Sequence, residues 1–185
     1  MGLDKKYVAT IRLGIETDTL DPEGETVQTG IVPDADTLEN AIREMTGTMM
    51  QKPPVYSALH INGKRSYELA RKGVSAEPEA REITVFNAEL LMYEPPFARV
   101  ELHVSKGTYV RSWARDLGYK CGTCAYVTQL RRTQIGPFSV DEAVKSDDEN
   151  SLCSFNEDFS ENLILRLTEY DNSSVYKKQN ADKKF

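Results

Sequence analysis

The chain has 185 residues, 29 acidic against 23 basic side chains, a net charge of -6 and three cysteines. That length accommodates one sizeable domain, or one domain with an appendage. It contains no run of 18 apolar residues and no basic segment leading into an apolar one, which argues against a membrane span or secretory signal. The odd cysteine count fits a reducing compartment better than a disulfide scaffold.

In chain order, Lys6–Gly14 and Glu25–Val32 read as two strands of a hairpin, joined through Thr17-Asp18-Thr19-Leu20-Asp21-Pro22-Glu23-Gly24. Its Asp-Pro-x-Gly end carries turn chemistry. Pro33-Asp34-Ala35-Asp36 leads into a helix with Leu38, Ala41, Ile42 and Met45 on one face; either aspartate can cap it and Gly47 is expected to end it. Gln51–Arg81, with six bases and three acids, reads as an arm leaving the main sheet. It holds Pro53-Pro54, a turn at Ile61-Asn62-Gly63-Lys64 and a short helix over Ser66–Lys72. Strands resume over Glu82–Tyr93 and Phe97–Val104, the second with clear period-two alternation, around a turn at Glu94-Pro95-Pro96.

The next stretch, Ser105-Lys106-Gly107-Thr108-Tyr109-Val110-Arg111, is the most informative of the chain. Gly107 permits a sharp turn, and Thr108 is the expected N-cap of a helix running to Lys120. Tyr109 and Arg111 then stand where a strand ends and a helix begins. There a planar ligand can stack on the ring while a guanidinium holds a charge. A core tyrosine beside a surface arginine fits the seven residues equally well. A short helical turn is expected near Val127–Leu130, then a strand or loop through Gly136-Pro137-Phe138.

Charge is unevenly spread. Residues 103–132 hold six bases against Asp116 alone, beside Tyr109, Tyr119 and Tyr126, whereas 141–162 carry eight acids against Lys145. The first suits a polyanion, although a solvated helix face explains the charge as well. Beyond Val144 the composition turns polar; 162–170 reads as a short docking element and the last fifteen residues as disordered. Cys121-Gly122-Thr123-Cys124 has metal spacing but no second pair or histidine to complete a site, so ordinary thiols are expected. Trp113 is read as core.

Three stretches in order carry a resemblance. The first is Lys5-Lys6-Tyr7-Val8-Ala9 with Arg12-Leu13-Gly14 and Thr17-Asp18-Thr19-x-Asp21-x-x-Gly24. The second is Gln51-Lys52-Pro53-Pro54-Val55-Tyr56-Ser57-Ala58-Leu59 with Gly63-Lys64-Arg65-x-Tyr67-Glu68-Leu69-Ala70-Arg71-Lys72-Gly73. The third is the Ser105–Arg111 heptapeptide with Asp116-Leu117-Gly118 and Leu130-Arg131-Arg132. Together, over about residues 4–144, they resemble the TruB-type tRNA pseudouridine synthases.

The resemblance implies an α+β fold: a mixed, largely antiparallel central sheet with flanking helices and an RNA-clamping insertion at 51–81. It divides the chain into a catalytic-domain portion, 1–144, and an acidic, partly disordered tail, 145–185, without a clear C-terminal RNA-binding domain. The implied activity is isomerisation of the T-loop uridine at tRNA position 55 to pseudouridine; the alternative is a module that binds T-loop RNA without isomerising it. Tyr7 would stack on the extruded uracil, at about 1–3 kcal/mol per base. Tyr109 would lie at the reacting base and handle the proton released from carbon, and Arg111 would hold a nucleophilic aspartate ionised. Leu130 would wall the pocket against water. Lys64, Arg65, Arg71, Lys72, Lys106, Arg131 and Arg132 would meet RNA.

No cofactor or metal is implied. The partner is the T-arm of tRNA; the protein would be a monomer away from membranes, cytoplasmic, or organellar or nuclear if eukaryotic. In the family the nucleophile precedes the strand that starts at Tyr7, in a segment reading roughly Gly-His-Thr-Gly-x-Leu-Asp-Pro. This chain is therefore expected to lack that N-terminal segment and to be incomplete there. Asp21 is expected to be a turn or RNA-contact residue, and His60 and His103 no substitute for the segment's histidine.

Overall fold

A computed structural model describes residues 2–57, 60–61, 64–65 and 78–142. The chain divides into two compact units, 1–132 and 133–185.

The first unit is built on a sheet with strand order β9-β1-β8-β7-β4. These strands are β1 (Lys5–Leu13), β4 (Gly47–Gln51), β7 (Arg81–Glu94), β8 (Phe97–Val104) and β9 (Ala125–Ile135), the last running on into the second unit. β1 pairs antiparallel with β8, from Lys5 opposite Val104 to Arg12 opposite Phe97. β7 pairs antiparallel with both β8 and β4. Period-two alternation puts Ala9, Ile11 and Leu13 of β1 and Ala98, Val100, Leu102 and Val104 of β8 on one buried face. Two helices cover it: α1 (Ala35–Glu44) through Leu38, Ala41 and Ile42, and α2 (Val110–Lys120) through Val110, Trp113, Ala114 and Leu117. This is the expected α+β class with an antiparallel sheet and flanking helices. Trp113 is fully buried, as expected, and its Nε1 points to the Met45 carbonyl at 3.5 Å.

Asp34 caps α1 by accepting from the Thr37 N–H at 2.8 Å, and the Thr37 side chain first, then that N–H, hold its carboxyl below the usual carboxylate range. The helix ends at Met45 rather than at Gly47, which opens β4 with φ +108°. β7 and β8 are joined by the Pro95-Pro96 turn, whose peptide bond is cis. Register shifts between Val85 and Asn87 and between Leu90 and Met92 leave Phe86 and Leu91 as the extra residues, both exposed.

Three expectations are corrected. The hairpin does not use Lys6–Gly14. It is formed by β2 (Ile15–Thr17) and β3 (Thr26–Thr29), while β1 is taken by β8, with which its apolar alternation is in phase. Thr108 is not the cap of α2: Tyr109 holds that position without a side-chain bond, and the Thr108 hydroxyl turns back to the Ser105 carbonyl at 3.0 Å. Val127–Leu130 is not helical but lies within β9, because an open sheet edge beside β1 outweighs a four-residue local preference.

Within the arm, β5 (His60–Ile61) and β6 (Lys64–Arg65) pair antiparallel; residues 62–63, at the centre of the expected turn, lie outside the described residues. The helix expected over 66–72 and everything from residue 143 onward lie outside the described residues. In the second unit, the end of β9 pairs with β10 (Phe138–Ser139), followed by a single 3-10 turn over Val140–Glu142.

Candidate active site

The turn that follows β2 is tied together by its own side chains. The Thr17 hydroxyl donates to the Asp21 carbonyl at 2.7 Å, the Thr19 hydroxyl to Asp21 Oδ1 at 2.6 Å, and the Glu23 N–H to the same oxygen at 3.2 Å. Asp18 accepts from the Glu25 N–H at 3.0 Å and closes the turn's base. Gly24 has no alternative there, since an added Cβ would lie 2.3 Å from both Asp18 Oδ1 and Thr19 Oγ1. Leu20 sits at φ +62°, a conformation costing a leucine about 1 kcal/mol or more; its burial and the Val127 N–H bonded to its carbonyl at 3.2 Å hold it.

Arg111, in the first turn of α2, reaches this turn. Its Nη1 donates to Asp21 Oδ2 at 2.5 Å and to the Thr19 carbonyl at 2.9 Å, and its Nη2 donates to the Tyr56 carbonyl at 2.9 Å. The two charged side chains are about a quarter exposed, 26% and 25%. Three of the five guanidinium N–H donors are thus spent among the described residues. Nε and one N–H of Nη2 remain, enough to receive a second anion.

Tyr109 is held by residues that sequence reading had not singled out. The Gln51 amide takes both ends of its backbone: Oε1 accepts the Tyr109 N–H at 2.8 Å and Nε2 donates to its carbonyl at 3.1 Å. The Arg81 guanidinium lies 5.0 Å from the centroid of the Tyr109 ring and donates through Nη2 to the Gly107 carbonyl at 2.5 Å. Gln51 stands inside the second matched stretch and Arg81 at the far end of the arm. Both positions were legible, but the sequence showed no reason to connect them with residue 109.

Tyr7 shares the buried face of β1 with Ala9, Ile11 and Leu13 and packs against the core. Its strand begins at Lys5, opposite Val104, and Val104 is followed directly by the Ser105–Thr108 turn that delivers Tyr109. Tyr7 and the start of α2 therefore lie toward the same end of the sheet. Leu130 is 48% exposed. Thr128 Oγ1 bonds the Thr10 carbonyl at 3.0 Å, and the Gly14 N–H bonds the Cys124 carbonyl at 2.8 Å. β9 thus runs antiparallel to β1 and brings Leu130 level with Val8, which alternates to the face of the sheet opposite Tyr7.

Lys106, Arg131 and Arg132 are exposed. Lys64 and Arg65 lie in β6, and Arg71 and Lys72 fall outside the described residues. His103 is engaged by Asp4 and by the Phe86 ring, apart from Arg111. Cys121 and Cys124 are free thiols, both pushed up from the ordinary thiol range by burial. No group of three or more His, Cys, Asp or Glu side chains that could hold a metal occurs among the described residues. No described helix is long and apolar enough to cross a membrane.

Residues 1–110 match the TruB family pseudouridylate synthase N-terminal domain, and 111–170 match the tRNA pseudouridylate synthase B C-terminal domain. The first match runs from residue 1, which overturns the expectation of a chain lacking the family's N-terminal segment.

The chain is 50% identical over 142 residues to tRNA pseudouridine synthase B of Aromatoleum aromaticum, covering 76% of this chain and 46% of the relative. It is 37% identical to the protein of that name from Francisella tularensis, covering 95% and 62%. The chain thus spans about half to three-fifths of the length of these relatives. Among solved structures, a Cbf5-Nop10-Gar1 complex matches with a TM-score of 0.53 and 29% identity, over 75% of this chain and 32% of that one. An H/ACA RNP bound to a substrate RNA containing 2'-deoxyuridine matches with 0.50 and 25%, over 75% and 30%. With its N-terminal-domain match covering more than half of its residues, the chain belongs to the TruB family of pseudouridylate synthases.

Proposed function

We propose that the protein is a tRNA pseudouridine synthase, isomerising the T-loop uridine at position 55. The reaction breaks the N1–C1′ bond, turns the base and joins C5 to C1′. A proton leaves C5 and one is gained at N1, so atoms balance without a co-substrate. The observation that supports the reading is Arg111 bonded to the Asp21 turn, two residues beyond Tyr109 at the start of α2, in a family whose named relatives modify tRNA.

In this reading the uracil leaves its stack, at a cost of a few kcal/mol, and is received on the Tyr7 ring. Tyr109 takes part in moving the C5 proton. Arg111 offers its two uncommitted N–H groups to the nucleophilic aspartate that the family resemblance implies, and keeps that carboxylate ionised. Asp21 spends Oδ2 on Arg111 and Oδ1 on Thr19 and Glu23, so it orients the guanidinium and does not itself attack. Leu130, as the family resemblance implies, excludes water from the detached base. Lys64, Arg65, Arg71, Lys72, Lys106, Arg131 and Arg132 meet phosphates of the T-arm, and the protein acts as a monomer.

The test is to incubate the 185-residue protein with T-arm RNA, measure pseudouridine at position 55, and follow binding over a salt series. Turnover with affinity that falls steeply as salt rises is the expected result. Salt-dependent binding without any pseudouridine would replace the enzyme with a binding module, and affinity indifferent to salt would remove phosphate recognition altogether.

A further inference from the structure

Gln51 and Arg81 are cross-strand partners, at the last residue of β4 and the first of β7. They form the root of the inserted stretch 52–80, and both turn toward the same target. Gln51 is 1% exposed and gives its whole amide to the backbone of one residue, Tyr109. The pairing also fixes the amide's orientation, since a flipped amide would set donor against donor and acceptor against acceptor.

Tyr109 needs such a partner. It is the N-cap of α2 at φ -100° and ψ 112°, no side chain caps the helix there, and its own N–H points away from any helical acceptor. Arg81 holds the residue from the other side. Its guanidinium is anchored on the carbonyl of Gly107, in the turn that delivers Tyr109, and stacks near the phenol ring. Gly107 adopts φ +81°, and a Cβ there would meet the guanidinium at 3.6 Å.

We infer that Gln51 and Arg81 are positioning residues for the reaction: Gln51 fixes the backbone of Tyr109 and Arg81 fixes the face and direction of its ring. The inference rests on the reading above in which Tyr109 acts at the reacting base. It implies that the arm's root and the catalytic ring form one unit, so a change at either root residue reaches the chemistry without touching the substrate.

The test labels the protein with 3-fluorotyrosine, assigns the position-109 and position-126 signals by fluorine NMR with Tyr109→Phe and Tyr126→Phe, and measures kcat and KM on tRNA in parallel. Gln51→Leu and Arg81→Met should each shift or broaden the Tyr109 signal and leave that of Tyr126, buried at the start of β9, in place. They should lower kcat tenfold or more with KM within threefold. Arg81→Lys, which keeps the charge, should recover most of the rate and the signal position. An unchanged Tyr109 signal in both Gln51→Leu and Arg81→Met overturns the inference, whatever the rates. Full turnover by Tyr109→Phe would instead overturn the role of Tyr109, leaving the positioning to be judged on the NMR signal alone.

Discussion

The bond between Arg111 and Asp21 joins the two parts of the chain that define the site, and its strength can be worked from the structure. Replacing Arg111 with alanine removes a charge-assisted bond at 2.5 Å and two bonds to the Thr19 and Tyr56 carbonyls. Hydrogen bonds to charged groups contribute about 1.5–3 kcal/mol when shielded, whereas fully exposed ion pairs give about 0.2–1 kcal/mol. With both side chains about a quarter exposed, the Arg111–Asp21 coupling should fall between, near 1–2 kcal/mol, and the whole Arg111→Ala loss near 2–4 kcal/mol.

The assay is a double-mutant cycle of Arg111→Ala and Asp21→Asn by urea unfolding, followed through the fluorescence of Trp113, the sole tryptophan, buried two residues along the same helix. Repeating it in 1 M salt, where the screening length shrinks to about 3 Å, should reduce the coupling but not abolish it. A coupling below about 0.3 kcal/mol, within the scatter of independent sites, would refute the pairing and with it the orienting role of Asp21.

Other consequences are as direct. Trp113→Ala empties the space between α1, α2 and the sheet and should cost about 3–5 kcal/mol, read by thermal unfolding with circular dichroism. Tyr119 donates to Glu16 at 3.0 Å, and burial first, then that carboxylate, push its phenol up to about 12. Because the ordinary phenol ionises near 10, the resulting stability is fully present below about pH 10 and lost as pH rises through about 12. Half-exposure of the ring keeps the effect small. Burial raises Tyr93 as well, so absorbance titration should show late-ionising tyrosines of which Tyr119→Phe removes one. Arg131→Ala and Arg132→Ala on exposed β9 should weaken T-arm RNA binding and reduce the slope of log K against log salt by about 1 each; an unchanged slope would take β9 away from the RNA.

Local patterns carried much of the fold. Alternation in 97–104 marked β8, the Pro95-Pro96 turn separated it from β7, and Asp34 with the 38-41-42-45 stripe marked α1. The errors share a cause. Lys5–Leu13 pairs with β8, ninety residues away, in preference to its sequence neighbour, and Val127–Leu130 becomes strand because β1 offers an edge. Neither competition is visible inside a window of a dozen residues. In the candidate site, Tyr109 and Arg111 stood out because a ring and a guanidinium two residues apart at a strand–helix junction are chemically conspicuous. Gln51 and Arg81 did not, because an amide and an arginine gain meaning only from the backbone and ring they meet.

What the amino-acid sequence by itself determined was the residue chemistry and the short-range geometry: which stretches extend, which coil, where glycine or proline turns the chain, and which three motifs mark the family. Only the tertiary structure decided which strand lies beside β1, that Asp21 rather than a distant group faces Arg111, and that both ends of the arm close on Tyr109. Those outcomes depend on pairing between distant residues, such as Thr10 and Thr128, 118 positions apart. The free energy of such pairs comes from burying apolar faces and completing hydrogen bonds together, a sum that no local segment contains.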